Sequence, residues 1–130
     1  MRVAYVDSST ILGVLFEEVD HERLGSQVEA VSHLYSANLL EAEVRSALNR
    51  EGVHDSAALR LLERINWVFP ERSLGQEFSD VLSAGYLKGA DLWHLACALY
   101  LRGARSDLEF LSQDGRQLKV AGVLGLRTMD

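Results

Sequence analysis

Apolar residues recur along this chain in two rhythms. Val3-Ala4-Tyr5-Val6 is a short unbroken apolar run, the pattern of a strand buried on both faces. Trp67-Val68-Phe69, closed by Pro70, and Leu108-Glu109-Phe110-Leu111 read as further short strands. Val31 to Ser36 alternates as a strand does, and Gly125 to Thr128 fits an edge strand. Between these runs the apolar period lengthens to that of helices. The spacing predicts helices over Thr10–Phe16, over 21–30 with Leu24 and Val28 at i, i+4, and over Asn38–Arg50, with Asn38 as N-cap and Gly52 as stop. It predicts another over Asp55–Arg64, capped by Asp55 or Ser56, with Leu59, Leu62 and Ile65 inward. Ser73–Tyr86 follows, with Leu74, Phe78, Val81, Leu82 and Tyr86 on one face and Gly85 and Gly89 marking its end. Asp91–Arg102 is apolar nearly all round and is expected against the sheet, and Gly115–Gly122 is the last helix.

This alternation implies an α/β fold: a three-layer α/β/α sandwich with a mostly parallel central sheet. The 130 residues suit one domain over 1–130, and 48% hydrophobic residues suffice for its core. Cys97 stands alone, so no disulfide framework or cysteine metal cluster is expected, and core packing is its plain role. No apolar run reaches the length of a membrane span, and Asp7 interrupts the opening too early for a signal peptide. A cytoplasmic location is the expectation. The net charge of −6 speaks against nucleic acid, but it is unevenly spread. Residues 86–130 hold 6 Lys/Arg against 5 Asp/Glu, whereas residues 1–85 hold 7 against 14.

Parallel sheets of this kind place ligands at the carboxyl ends of their strands. Asp7 directly follows the first strand and Asp114 closely follows the fourth. Each also fits a helix cap, and Asp114 with Gln117 has the spacing of a capping box. Asp91 opens a helix, where the dipole favours a carboxylate without further function. His94, one turn on, can face it as a structural partner. Glu43 neighbours Leu39, Leu40 and Ala47 on its helix and so lies in or beside the apolar stripe, whereas Glu41 can pair with Arg45 in solvent. A carboxylate on a core-facing stripe is costly unless it is paired, protonated or bound to a cation. Four such acids at one rim would raise each other's pKa unless a cation neutralised them. Hard oxygen ligands suit Mg²⁺ or Mn²⁺, and one or two such ions suit phosphoryl displacement by water.

The motifs resemble those of PIN-domain ribonucleases, and specifically toxins of the VapC type. Val3-Ala4-Tyr5-Val6-Asp7-Ser8-Ser9 is similar to the family's first strand with its acid and trailing hydroxyls. Ala37-Asn38-Leu39-Leu40-Glu41-Ala42-Glu43-Val44-Arg45-Ser46-Ala47-Leu48 resembles the segment carrying the family glutamate, and the trailing apolar-x-x-Ala pattern places that role on Glu43. Asp91-Leu92-Trp93-His94-Leu95-Ala96 is the most specific match, and Phe110 to Leu118 resembles the fourth motif, with a hydroxyl two residues before its acid.

The resemblance implies a metal-dependent endoribonuclease and homodimer, using Mg²⁺ or Mn²⁺ and held inactive by a cognate antitoxin protein. Carried over, Asp7, Glu43, Asp91 and Asp114 become the metal ligands or metal-positioning acids. Ser9 and Ser112 become hydrogen-bond partners of those carboxylates or of bound water, although ordinary turn and cap bonding suits them equally. Hydrolysis by a metal-activated water would leave 5′-phosphate and 3′-hydroxyl RNA ends. Arg45, Arg50, Lys88 and Arg116 are the candidate phosphate contacts, each equally at home on a solvated surface. The rival readings are a different metal-dependent phosphatase on a similar sheet and a non-catalytic PIN-like module that binds RNA or protein. The first would want a second acid at the first strand's end, and the second would be marked by loss of an acid.

Overall fold

A computed structural model describes residues 1–54 and 56–129. Asp55, one of the two expected helix caps, lies outside the described residues. Five strands form the sheet: β1 (Val3–Val6), β2 (His33–Ala37), β3 (Ile65–Val68), β4 (Glu109–Leu111) and β5 (Arg127–Thr128). Their order is β3-β2-β1-β4-β5, and every pairing is parallel. Among the described residues seven helices connect them: α1 (Ser8–Leu15), α2 (His21–Ala30), α3 (Leu39–Arg50), α4 (Ser56–Glu63), α5 (Gly75–Ala84), α6 (Gly89–Arg102) and α7 (Gly115–Val123).

Alternation along each strand splits the core into two layers. Val3 and Tyr5 of β1 pack with Phe110 of β4 and with Val81, Leu95 and Val120 of α5, α6 and α7. Ala4 and Val6 face the other way, with Ile11, Val28, Leu40, Val44 and Leu62 of the first four helices. This is the expected α/β/α sandwich. Both faces of β1 are covered, which explains its unbroken apolar run. Cys97 is fully buried among these side chains, and burial pushes its thiol up to about 12, so it is core rather than nucleophile. No helix among the described residues is long and apolar enough to cross a membrane.

Several element boundaries differ from the sequence reading. Ile65 belongs to β3 rather than to the inner face of the preceding helix, and the strand runs from Ile65 to Val68 instead of from Trp67 to Phe69, leaving Phe69 62% exposed. Four apolar-rich residues carry too little periodicity to separate a buried strand from a helix face. Asn38 does not cap α3, because its backbone is already helical and its side chain makes no cap bond. α5 stops at Ala84, so Tyr86 is not on its inner face, and Leu82 is exposed as well. β5 is the edge strand, reduced to two residues.

Candidate functional site

The carboxyl ends of β1 and β4 lie side by side, with Val6 paired to Leu111 and the Asp7 N–H donating to the Leu111 carbonyl at 2.9 Å. Asp7 leaves β1 in extended conformation and caps α1. Its Oδ2 accepts from the Ser9 hydroxyl at 2.8 Å and the Ser9 N–H at 3.3 Å. Its Oδ1 is buried and has no hydrogen-bond partner. Asp114 caps α7 in the same manner, Oδ1 accepting from the N–H groups of Arg116 at 2.9 Å and Gln117 at 3.1 Å.

Hydroxyls stitch the two loops together. The Gln113 N–H donates to Ser9 Oγ at 2.9 Å, and the Asp114 N–H to Ser112 Oγ at 3.0 Å. Ser112 Oγ lies 2.7 Å from Gln117 Oε1 and 3.4 Å from Asp7 Oδ2. A hydroxyl has one proton, and the shorter contact takes it. Ser112 therefore serves Gln117 first, and Ser9 is the principal partner of Asp7. Gln117, fully buried, passes the link on by donating from Nε2 to the Asp91 carbonyl at 3.1 Å. Sequence reasoning treated Gln117 only as the far half of a capping box. Instead it joins the β4 loop to the first turn of α6. The available signal was a polar side chain on a helix face otherwise occupied by Val120 and Ala121.

Asp91 and Glu43 reach this end from α6 and α3. α6 starts at Gly89, two residues before the expected start, with Lys88 at the N-cap position. Asp91 thus lies inside the first turn and is not the cap. Its carboxylate accepts no hydrogen bond from the described residues. The His94 expectation is corrected too. Its ring is fully buried and points at β1 and α3, with Nε2 2.6 Å from Glu43 Oε1 and 3.8 Å from Asp7 Oδ1. Nδ1 is 2.7 Å from the Tyr5 hydroxyl, which itself accepts from the Ala37 N–H at 3.1 Å. The Glu43 carboxylate can only accept, so the histidine proton sits on Nε2 and is donated to it, and Nδ1 is left to accept the Tyr5 proton. Burial holds the Tyr5 phenol well above its ordinary pKa, keeping that proton in place. Glu41 turns outward and pairs with Arg45 at 2.7 Å, as its i, i+4 spacing allows.

Asp7, Asp114 and Glu43 all stand within electrostatic reach of Asp91. Desolvation raises the Asp91 pKa first, and the charges of Asp7, Asp114 and Glu43 raise it further, against a smaller opposing effect of His94. Among the described residues no three His, Cys, Asp or Glu side chains form a ready-made ion-binding group. A raised carboxyl pKa has a definite consequence for the metal-free protein. The folded state holds the Asp91 proton to higher pH than the unfolded state, so unfolding releases it and folding loses stability as pH rises through the window between the two pKa values. The expected result in EDTA is a melting temperature that falls for wild type relative to Asp91→Asn as pH rises from the ordinary aspartate range upward. Parallel melting curves for the two proteins would show that Asp91 does not carry this charge burden.

Of the candidate phosphate contacts, Arg45 is engaged by Glu41 and Arg50 by Glu51 at 3.0 Å. Lys88 and Arg116 are exposed, and their side chains have no partner among the described residues.

A parallel α/β/α sandwich with acids gathered at the carboxyl rim of its first and fourth strands defines the class of protein. The PIN domain family model matches residues 4–123, and the chain belongs to that family. PIN domains are generally nuclease modules. No curated protein matches the chain.

Proposed function

We propose that the protein is a metal-dependent endoribonuclease, with Asp7, Glu43, Asp91 and Asp114 holding Mg²⁺ or Mn²⁺ at the rim. The observation that carries this reading is Asp7 Oδ1, a carboxylate oxygen removed from water and without a donor, at a rim where the charges of Asp7, Asp114 and Glu43 all act on Asp91. Such an arrangement is costly unless a cation completes it. The chemistry of the set fits, since hard carboxylate oxygens are what Mg²⁺ and Mn²⁺ take. When bound, the ion supplies the positive charge that activates water and offsets the charge gathering on phosphate during in-line displacement. The protein's own groups hold the acids still. Ser9 fixes one oxygen of Asp7, the start of α7 fixes one oxygen of Asp114, and His94 fixes Glu43.

The finer reading is that this nuclease is the toxin of a toxin–antitoxin pair, supported by the VapC-like motifs around Asp7, Glu43, Asp91 and Asp114. It then works as a homodimer and is restrained by a small antitoxin whose C-terminal segment covers the acidic groove. Full inhibition by an antitoxin lacking that segment would count against this partner.

The deciding experiment is incubation of purified protein with a mixed RNA pool in Mg²⁺, Mn²⁺ or EDTA, with analysis of the ends. Cleavage is expected only with metal, leaving 5′-phosphate and 3′-hydroxyl ends. A 2′,3′-cyclic phosphate would overturn the water route. Absence of cleavage, together with no rise in melting temperature on adding Mn²⁺, would favour a non-catalytic binding module.

A further inference from the structure

A groove of about 650 Å³ runs along α7 outside the carboxylate cluster. Its rim end is Gly115, next to the cap residue Asp114, and its far end is Val123, so it leads away from the site along one helix. Tyr86 forms part of the opposite wall and is 66% exposed. Arg116 and Lys119 project from α7 into the same groove, as neighbours one turn apart. No Asp or Glu lines it.

Two features set this surface apart from the rest of an acidic protein. The first concerns its cations. Most Lys and Arg side chains are engaged, Arg2 by Glu109 and Arg72 by Glu77 for example. Among the described residues only Lys88, Arg116, Lys119 and Arg127 have neither an ion pair nor a side-chain hydrogen bond. Arg116 and Lys119 share the groove, and Lys88 is two residues from Tyr86. The second is the placement of Tyr86. A Cβ on Gly85 would come within 2.8 Å of Val120 Cγ2 on α7. Only glycine lets the chain press this closely on the helix as it leaves α5, and that approach sets Tyr86 beside α7 rather than packing it inside.

We infer that this groove is the track for single-stranded RNA leaving the cleavage site, with Tyr86 stacking a base and Arg116 and Lys119 meeting the backbone phosphates. The inference rests on the nuclease reading. An exposed aromatic face beside unpaired cations is the combination by which single-stranded nucleic acid is held without sequence readout. The acids at the rim repel phosphate, so a protein of this net charge needs such a local cationic track to retain its substrate.

The test is fluorescence anisotropy with a fluorescein-labelled 12-nucleotide single-stranded RNA in EDTA, for wild type, Tyr86→Ala, the double variant Arg116→Gln/Lys119→Gln, and Arg127→Gln. Tyr86→Ala should weaken binding about 10-fold. The double variant should flatten the log–log dependence of affinity on salt by about 1.4, the contribution of two phosphates on a single strand. Arg127→Gln removes one of the other unpaired cations from the sheet edge, outside the groove, and should change neither. Cleavage of the same RNA in Mn²⁺ is measured in parallel, and Tyr86→Ala should raise KM while leaving kcat near wild type. Wild-type affinity and salt slope in both groove variants, alongside cleavage by the wild type, would overturn the track and leave the nuclease intact. Altered affinity in a protein that never cleaves would keep the track and remove the nuclease. Absence of RNA binding by folded wild type would overturn the track outright.

Discussion

On the proposed function, Asp7→Asn is expected to lower metal-dependent RNA cleavage by about 10³-fold or more in a chain that still folds. Asparagine keeps the cap of α1, because its carbonyl oxygen can accept from the Ser9 N–H and hydroxyl as Oδ2 now does. What it loses is the negative charge and the buried second oxygen. In EDTA the variant is expected to melt at or above the wild-type temperature, since one of the charges raising the Asp91 pKa is gone. In Mn²⁺ the order reverses. A ligand at about 100 times its Kd stabilises the protein that binds it by roughly 2.7 kcal/mol, near 10 °C in melting temperature for a domain of this size. Wild type should show that shift and Asp7→Asn should show little of it. Equal cleavage, or an equal Mn²⁺ shift, would take Asp7 out of the site.

Asp7 and Asp114 show why a cap and a metal-ligand reading need not compete. Each carboxylate has two oxygens, and in both residues the oxygen spent on the helix start is a single one: Oδ2 of Asp7 and Oδ1 of Asp114. The helix dipole and the N–H groups hold the charge in place. The other oxygen is left for chemistry at the rim. A cap on a strand-to-helix turn is therefore a suitable mount for an acid that must not move. Asp91 differs, because its carboxylate carries no cap bond, and its raised pKa records first its desolvation and then the charges of the neighbouring acids.

The layers and strand runs were legible because each depends on a local pattern. The unbroken run Val3–Val6, ended at once by Asp7, is of the kind that makes a strand covered on both sides, and the nearly all-apolar α6 is of the kind that is buried. The surface role of Glu41 against the inward role of Glu43 followed from helix spacing alone. Failures came where local reasoning had two equal answers or none. Ile65 fits a helix stripe and a strand equally. Asn38 has the right side chain for a cap but a backbone that tertiary packing has already wound into the helix. Asp91 is the only acid within a turn of His94, yet the histidine finds Glu43, 51 positions away, and Tyr5, 89 positions away. Buried polar side chains choose partners by where three elements meet, and a one-dimensional pattern does not encode that meeting.

His94→Leu should be the most damaging substitution outside the four acids. It deletes the donor to Glu43 and strands the Tyr5 hydroxyl, a buried polar group whose lost partner costs about 1–3 kcal/mol. Mn²⁺ affinity should fall as well, by about 10–100-fold, the usual effect of removing the group that orients a metal-binding side chain. Two near-isosteric variants separate orientation from mere packing. His94→Gln can present an amide N–H close to the position of Nε2 and continue to donate to Glu43. His94→Asn is shorter, matches the Nδ1 side facing Tyr5, and cannot span to Glu43. The expected order of Mn²⁺ affinity, read from the metal-induced rise in melting temperature, is wild type, then Gln, then Asn close to Leu. Tyr5→Phe keeps the stacking on Phe110 but removes the acceptor of the Ala37 N–H and the donor to Nδ1, so the histidine proton is no longer held to Nε2. It should lower Mn²⁺ affinity in the same direction as His94→Asn, although Tyr5 reaches Glu43 only through the His94 ring. If Gln and Asn prove equal, and Tyr5→Phe binds Mn²⁺ as wild type does, the chain from Ala37 through Tyr5 and His94 to Glu43 is packing alone, and the glutamate is held by something other than a directed proton.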